Sequence, residues 1–266
     1  MALQQLPHEV GKIDNKRRRD NVETTIAVLS DIHSNVYALD AVLQNIESRG
    51  IQTIVNLGDT LFGPIEPGLT AKMLMNRTDI IHVMGNCDRY SLQEEMDSAT
   101  FRFVKPYMNE DISEWLKSFK RTWTYQNLLF CHGTPFSDEE YLLEEVHESG
   151  VKDKSVEKLM MELSSIEQSI IFCGHTHKQK SIWLPDGKGV VNVGSVGLPA
   201  YFEDQPYPHA MEAFTPHARY AIATQTKQSW VIDQVMVPYD YELAALQADK
   251  NNRTDYSHAI RYGRVG

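Results

Sequence analysis

Seven side chains able to bind a divalent cation stand at the ends of short apolar runs. They are Asp31 and His33 in Asp-Ile-His, Asp59 in Gly-Asp, Asn86 in Gly-Asn-Cys-Asp, His132 in Cys-His-Gly, and His175 and His177 in Gly-His-Thr-His. Carboxylate, amide and imidazole donors suit Mn, Fe, Zn, Ni or Co, metals that take mixed oxygen and nitrogen ligands. A carboxylate such as Asp59 can bridge two cations, which no neutral side chain does as well. Singly the motifs say little, because an aspartate or asparagine after a strand is most often a turn or helix cap. Gly-His-Thr-His says more, since two rings flanking one residue directly after an apolar strand can reach a single cluster. Asp31 and His33 are expected on one side of an extended segment leaving the first strand, offering one cation an oxygen and a nitrogen.

Bringing these residues together requires a fold that gathers strand ends. In an open α/β sheet, ligands bind beyond the carboxyl ends of the strands, where residues distant in sequence converge. Residues 25–30 read as a buried strand, and Val36, Leu39, Val42, Leu43 and Ile46 form a helical stripe that stops at Gly50. A strand at 53–57, a helix at 69–75 and a strand at 80–84 follow, predicting a βαβαβ unit with a parallel sheet. The stretch 90–120 reads as mainly helical, with Ile112, Trp115, Leu116 and Phe119 on one face. Strands are expected at 128–131 and 169–173, separated by an acidic helix over 138–148 and a second helix through Leu159, Met160 and Leu163. From Gln179 the pattern changes to hairpins: 180–184, a turn at Asp186-Gly187, 189–193, 220–224 and 230–237, before a last helix at 242–250.

With 42% apolar and 9% aromatic residues the chain can bury a substantial core. No apolar run approaches the ~20 residues that span a bilayer, so no membrane segment is expected. The basic run Lys16 to Arg19 lacks the apolar stretch of a signal peptide and reads as part of a tail over residues 1–23. Residues 24–250 then form the domain, and 251–266 a C-terminal extension. Three scattered cysteines, Cys87, Cys131 and Cys173, point to a reducing cytoplasm rather than a disulfide framework. A formal net charge of -10 argues against a nucleic-acid-coating protein, since that affinity needs many cationic side chains. Oligomeric state is not legible.

Taken in order, D-x-H, G-D, G-N-x-D, a strand ending in His-Gly and G-H-x-H resemble the calcineurin-like metallophosphoesterase superfamily over residues 25–200. The resemblance implies a four-layer α-β-β-α sandwich of mixed α/β class, with two central mixed β-sheets flanked by helices. It implies Asp31, His33, Asp59 and His177 around one metal and Asp59, Asn86, His132 and His175 around the other, Asp59 bridging. Two divalent ions, Mn foremost, would activate a hydroxide that hydrolyses a small phosphate ester, with Asp59, Asn86 and His132 in catalytic positions and Asn86 and Cys87 toward substrate. Gly194-Ser-Val-Gly197 resembles the family's small-residue turn beside the site.

Two departures narrow the reading. Many members carry histidine after Gly-Asn, where this chain has Cys87, a poor proton donor, and Asp88 then lacks its usual partner. The arginine-bearing elements of the protein serine/threonine phosphatases are missing, so the closest likeness is to the small prokaryotic branch, which implies a phosphodiesterase. A non-catalytic metal-binding scaffold of the same fold and a nuclease are the alternatives. The loops 62–66 and 201–207 are the expected sources of substrate contacts.

Overall fold

The computed structural model describes residues 24–266; the expected tail, with its basic run, lies outside them. The chain begins as β1 (Thr25–Leu29), whose Ile26 and Val28 face one side and Ala27 and Leu29 the other, all fully buried. A strand apolar on both faces belongs in the middle of a covered sheet. Then α1 (Val36–Ser48) starts at Asn35, whose side chain accepts the Ala38 N–H at 3.1 Å. Its buried stripe of Ala38, Leu39, Val42, Leu43 and Ile46 packs on β1.

Next come β2 (Thr53–Asn56), α2 (Pro67–Met75) and β3 (Ile80–His82), and β1, β2 and β3 are parallel. The stretch over 90–120 is divided among α3 (Asn86–Ser91), α4 (Ala99–Val104) and α5 (Glu110–Lys117), with a 3-10 turn at Lys105–Tyr107. Ile112, Leu116 and Phe119 are buried there against Leu61 and Ala71.

A second sheet is built from β4 (Trp123–Tyr125), β5 (Leu128–Phe130), β8 (Ile170–Cys173), β9 (Lys180–Trp183) and β10 (Gly189–Asn192), in the order β4-β5-β8-β10-β9. Its three inner strands are parallel and its two edges antiparallel. The first sheet is completed by β13 (Ala218–Gln225) and β14 (Trp230–Val237), in the order β14-β13-β1-β2-β3. Ile26, Val28, Val55, Phe130 and Phe172 fill the space between the sheets, the two phenylalanines stacked at 5.1 Å. Helix α6 (Val156–Glu162) supplies Leu159 to the outer face of the second sheet, where Cys131 and Cys173 lie buried. The four-layer α-β-β-α sandwich follows from this alternation.

The acidic segment 138–148 is not a helix. It turns at 138–143 and enters β6 (Glu144–His147), which pairs antiparallel with β7 (Gly150–Asp153). Helix-forming composition is overridden because consecutive Leu142 and Leu143 are both buried against the second sheet, which a solvent-facing helix turn could not achieve. The hairpin closes at Gly150, at φ +108°. A second small ribbon, β11 (Ala200–Glu203) with β12 (His209–Glu212), lies near the site. After α7 (Tyr241–Lys250), residues 254–262 form α8 (Thr254–Tyr262), whose Ala259 and Ile260 pack on Ala200 and α7.

Candidate metal centre

The parallel strands of both sheets end at the same side of the sandwich. Asp31 follows β1, Asp59 follows β2, Asn86 follows β3, His132 follows β5 and His175 follows β8, so all seven predicted residues meet there. Six are buried, with Asp31 fully enclosed, and His175 is half-buried.

The expected extended Asp31-Ile-His33 segment is not extended. Asp31 has φ 56° and His33 φ 46°, and Asp59 (55°), His175 (67°) and His177 (57°) share the left-handed region. Non-glycine residues in that region carry strain that only surrounding structure can hold. Here the loops hold one another: Asp31 donates its N–H to Gly58 at 2.9 Å, and His33 donates to Asp59 at 2.9 Å. The Gly194-Ser-Val-Gly197 turn adds a donor from Gly197 to the Asp31 carbonyl at 3.0 Å, and Ser195 Oγ donates to the same carbonyl at 2.8 Å. Glycines permit the close approach. A Cβ on Gly85 would meet Asp59 Oδ1 at 2.2 Å, and one on Gly174 would meet Ser30 Oγ at 2.0 Å and Asp31 Oδ2 at 2.7 Å.

Two neighbouring donor groups result. In the first, Asp31, His33 and His177 offer ligand atoms all within 4.8 Å of one another. There His177 Nε2 is 3.3 Å from Asp31 Oδ1 and 3.2 Å from His33 Nε2. In the second, Asp59, His132 and His175 satisfy the same limit, and Asn86 Oδ1 is 3.0 Å from His132 Nε2. Asp59 stands between them, Oδ1 3.4 Å from His132 and Oδ2 3.8 Å from His33. Cys87 shares a third group with His33 and Asp59 and donates its backbone N–H to Asp59 at 2.9 Å.

Ring orientation is set from behind. His33 Nδ1 donates to the Phe62 carbonyl at 2.7 Å, His132 Nδ1 to Leu57 at 3.0 Å and His177 Nδ1 to Leu198. His175 uses Nε2 instead, donating to the Glu139 carbonyl at 3.0 Å. A carbonyl only accepts, so each ring carries a proton on the far nitrogen and turns its other nitrogen toward the cluster. Tyr141 and Tyr201 pack against His175 and His177 with ring centroids at 5.0 and 4.6 Å.

A cation suits this constellation. Asp31 Oδ1 is buried without a hydrogen-bond partner of normal geometry among the described residues, 3.3 Å from His177 Nε2. Donor atoms 3.0–3.4 Å apart match ligands sharing a cation at about 2.1 Å. Electrostatics agree. Burial pushes the Asp59 carboxyl up, but His132, His33 and His175 hold it well below the usual carboxylate range. Burial likewise raises Asp31, and His177 and His132 outweigh it. Burial lowers His132, yet the charge and hydrogen bonding of Asp59 carry it up to about 9. Without metal, the cluster therefore gathers a proton to balance its carboxylates. Burial and the Asp59 charge raise the Cys87 thiol, keeping it protonated.

Some participants were not legible in the sequence. Asp88, without its usual partner, accepts three backbone N–H groups instead, from Asp59, Thr60 and Gly85 at 2.9, 2.8 and 3.0 Å. Asn192 donates to the Gly174 carbonyl at 2.7 Å and to Thr176 Oγ1 at 2.9 Å, bracing the Gly-His-Thr-His turn. Its position at the end of an apolar strand, matching Asp59 and His132, was the available signal. The cavity beside the cluster encloses about 1680 Å³. Of the two expected loops, Phe62 alone from the first and Tyr201, Phe202, Glu203, Gln205 and Pro206 from the second line it.

Comparison with known proteins agrees with this fold. An uncharacterised protein of Methanocaldococcus jannaschii is 29% identical over 209 residues, 67% of this chain and 78% of that protein. A metallophosphoesterase from Sphaerobacter thermophilus superposes with a TM-score of 0.66 at 19% identity, covering 88% of this chain and 99% of that one. A putative diadenosine tetraphosphatase superposes at 0.51 with 14% identity, covering 82% and 96%. Residues 25–211 match the calcineurin-like phosphoesterase superfamily domain, so a chain whose strand ends assemble two carboxylate-imidazole clusters belongs to the calcineurin-like phosphoesterase superfamily.

Proposed function

We propose that the protein is a phosphodiesterase of the small prokaryotic type, working with two divalent cations. The observation that carries this reading is the pair of buried donor groups joined by Asp59. Asp31, His33, Asp59 and His177 would hold one cation, and Asp59, Asn86, His132 and His175 the other. When bound, such a pair lowers the pKa of water, polarises phosphoryl oxygens and offsets developing charge. Mn is the first candidate for an oxygen-nitrogen donor set, with Fe, Zn, Ni and Co as alternatives.

The side chains divide the remaining work. Asp59 carries negative charge to the centre of the cluster. His132, braced by Leu57, presents Nε2 beside Asn86 Oδ1. With that oxygen turned inward, the Asn86 amide nitrogen, which also reaches Cys87 Sγ at 3.8 Å, can orient a phosphoryl oxygen. Cys87 lines the same cavity, and its thiol, held protonated, is a weak acid for an alkoxide leaving group. Esters of acidic alcohols are therefore favoured. A complete donor set supports an enzyme over a scaffold, and the acidic cavity wall speaks against a nuclease.

The test is hydrolysis of bis(p-nitrophenyl) phosphate and p-nitrophenyl phosphate by chelator-stripped protein, before and after Mn(II), with Asp59→Asn as control. Restored diesterase activity in wild type alone supports the proposal. Silence on both esters with Mn(II) demonstrably bound refutes the diesterase assignment.

A further inference from the structure

We propose that Glu144 sets the substrate class: a phosphodiester carrying a primary ammonium group on one of its alcohols. This rests on the phosphodiesterase reading above. Glu144 is 2% exposed, and neither carboxylate oxygen has a hydrogen-bond partner among the described residues. It lines the same cavity of about 1680 Å³ as His33, Asp59 and His175. Burial pushes its carboxyl up, only partly opposed by the charges of Lys178 and Lys180 and by the Thr176 hydroxyl. A buried carboxylate without donors is costly to maintain unless a ligand completes it.

The charges around it say what kind of ligand. Each lysine or arginine lining the cavity is engaged by a carboxylate of its own: Lys154 by Glu162 at 2.8 Å, Lys158 by Glu145 at 3.2 Å and Arg253 by Asp255 at 2.7 Å. Opposite Glu144 in the hairpin, Asp153 takes Lys180 at 2.6 Å. Glu140 and Glu203 add negative charge to the lining without a cationic partner among the described residues. The phosphoryl group has the metal cluster, but the rest of the substrate meets a wall with excess negative charge. A polyphosphate or a polynucleotide is repelled there. A neutral alcohol leaves the carboxylate with only the charges of Lys178 and Lys180, neither in an ion pair with it.

A primary ammonium supplies both a directly paired charge and up to three N–H donors, whereas a trimethylammonium brings charge without donors. The cavity exceeds the roughly 300–1,000 Å³ of ordinary ligand sites, leaving room for both arms of a diester.

The experiment compares kcat/KM of the Mn(II)-loaded protein for p-nitrophenyl 2-aminoethyl phosphate and p-nitrophenyl 2-hydroxyethyl phosphate. A charge-assisted hydrogen bond at a buried carboxylate predicts a preference of about ten-fold or more for the ammonium ester. That ratio falls to about one in Glu144→Gln, and Glu144→Asp, which keeps the charge, retains part of it. Equal rates in wild type, a ratio unchanged in Glu144→Gln, or faster hydrolysis of a dinucleoside polyphosphate overturns the proposal. If neither ester is hydrolysed, the diesterase reading is what has failed. Calorimetric titration of the Mn(II)-loaded protein then decides the Glu144 assignment. Tighter binding of glycerophosphoethanolamine than of glycerophosphoglycerol, lost in Glu144→Gln, supports it, and equal affinities refute it.

Discussion

The carboxylate of Asp88 accepts the backbone N–H of Asp59 at 2.9 Å, tying the turn after β3 to the loop that carries the central carboxylate of the cluster. Through Thr60 and Gly85 the same side chain gathers two further amides. Asp88 thus does for the backbone what the carbonyls behind the histidines do for the rings.

Removing that acceptor orphans three donors at a buried position. Asp88→Ala is expected to cost about 3–5 kcal/mol of folding stability and Asp88→Asn about 2 kcal/mol, since the amide keeps one accepting oxygen. Urea denaturation of the metal-free proteins measures both. A cost below 1 kcal/mol for Asp88→Ala would show that the loop is held elsewhere.

Metal linkage gives a second expectation. At Mn(II) concentrations about 100 times the dissociation constant, wild type gains about 3 kcal/mol, visible as a rise in Tm. Asp59→Asn removes the carboxylate that stands between the two donor groups and is expected to lose most of that gain. A full metal-induced rise in the variant would detach Asp59 from the site.

Gly174→Ala places a methyl where Ser30 Oγ and Asp31 Oδ2 already stand. Overpacking of this kind costs about 1–3 kcal/mol, and the resulting shift of Asp31 should weaken Mn(II) binding about ten-fold or more. Titration calorimetry on folded variant protein separates the two effects. Unaltered affinity would mean that Asp31 does not need its observed position.

The pH profile should carry the mark of His82, which is not among the candidate ligands. It stacks on Phe119 at 4.5 Å, accepts Asn56 Nδ2 at 3.2 Å, and burial lowers it to about 4. Its ordinary value is 6.5. Between those values the unfolded chain binds more protons, so stability present above pH 6.5 is lost as pH falls toward about 4. The contribution is on the order of 2 kcal/mol after allowance for partial exposure. His82→Phe, keeping the stacked ring, flattens that part of the profile. An unchanged slope in chemical denaturation from pH 7 to 4.5 would assign the loss to other groups.

Much of this was legible from the chain alone because it is local. Ile26 to Leu29 alternate between two covered faces, and Leu39, Val42, Leu43 and Ile46 recur at helical spacing, so element types followed from period. The ligand types and their order announced the family. Where local rules failed, a distant contact had intervened. Residues 138–148 have helix-forming composition, yet Leu142 and Leu143 reach the second sheet and Glu139 turns its carbonyl to His175.

What the sequence determined by itself was therefore the order of the metal-competent residues Asp31, His33, Asp59, Asn86, His132, His175 and His177, and the strand ends that carry them. Only the tertiary structure decided the left-handed turns at five of those residues, the amide cradle of Asp88 and the unpaired burial of Glu144. Each depends on atoms many residues away. A backbone conformation unfavourable in isolation, or a carboxylate stripped of water, persists only where packing from several elements holds it, and no spacing along the chain records that balance.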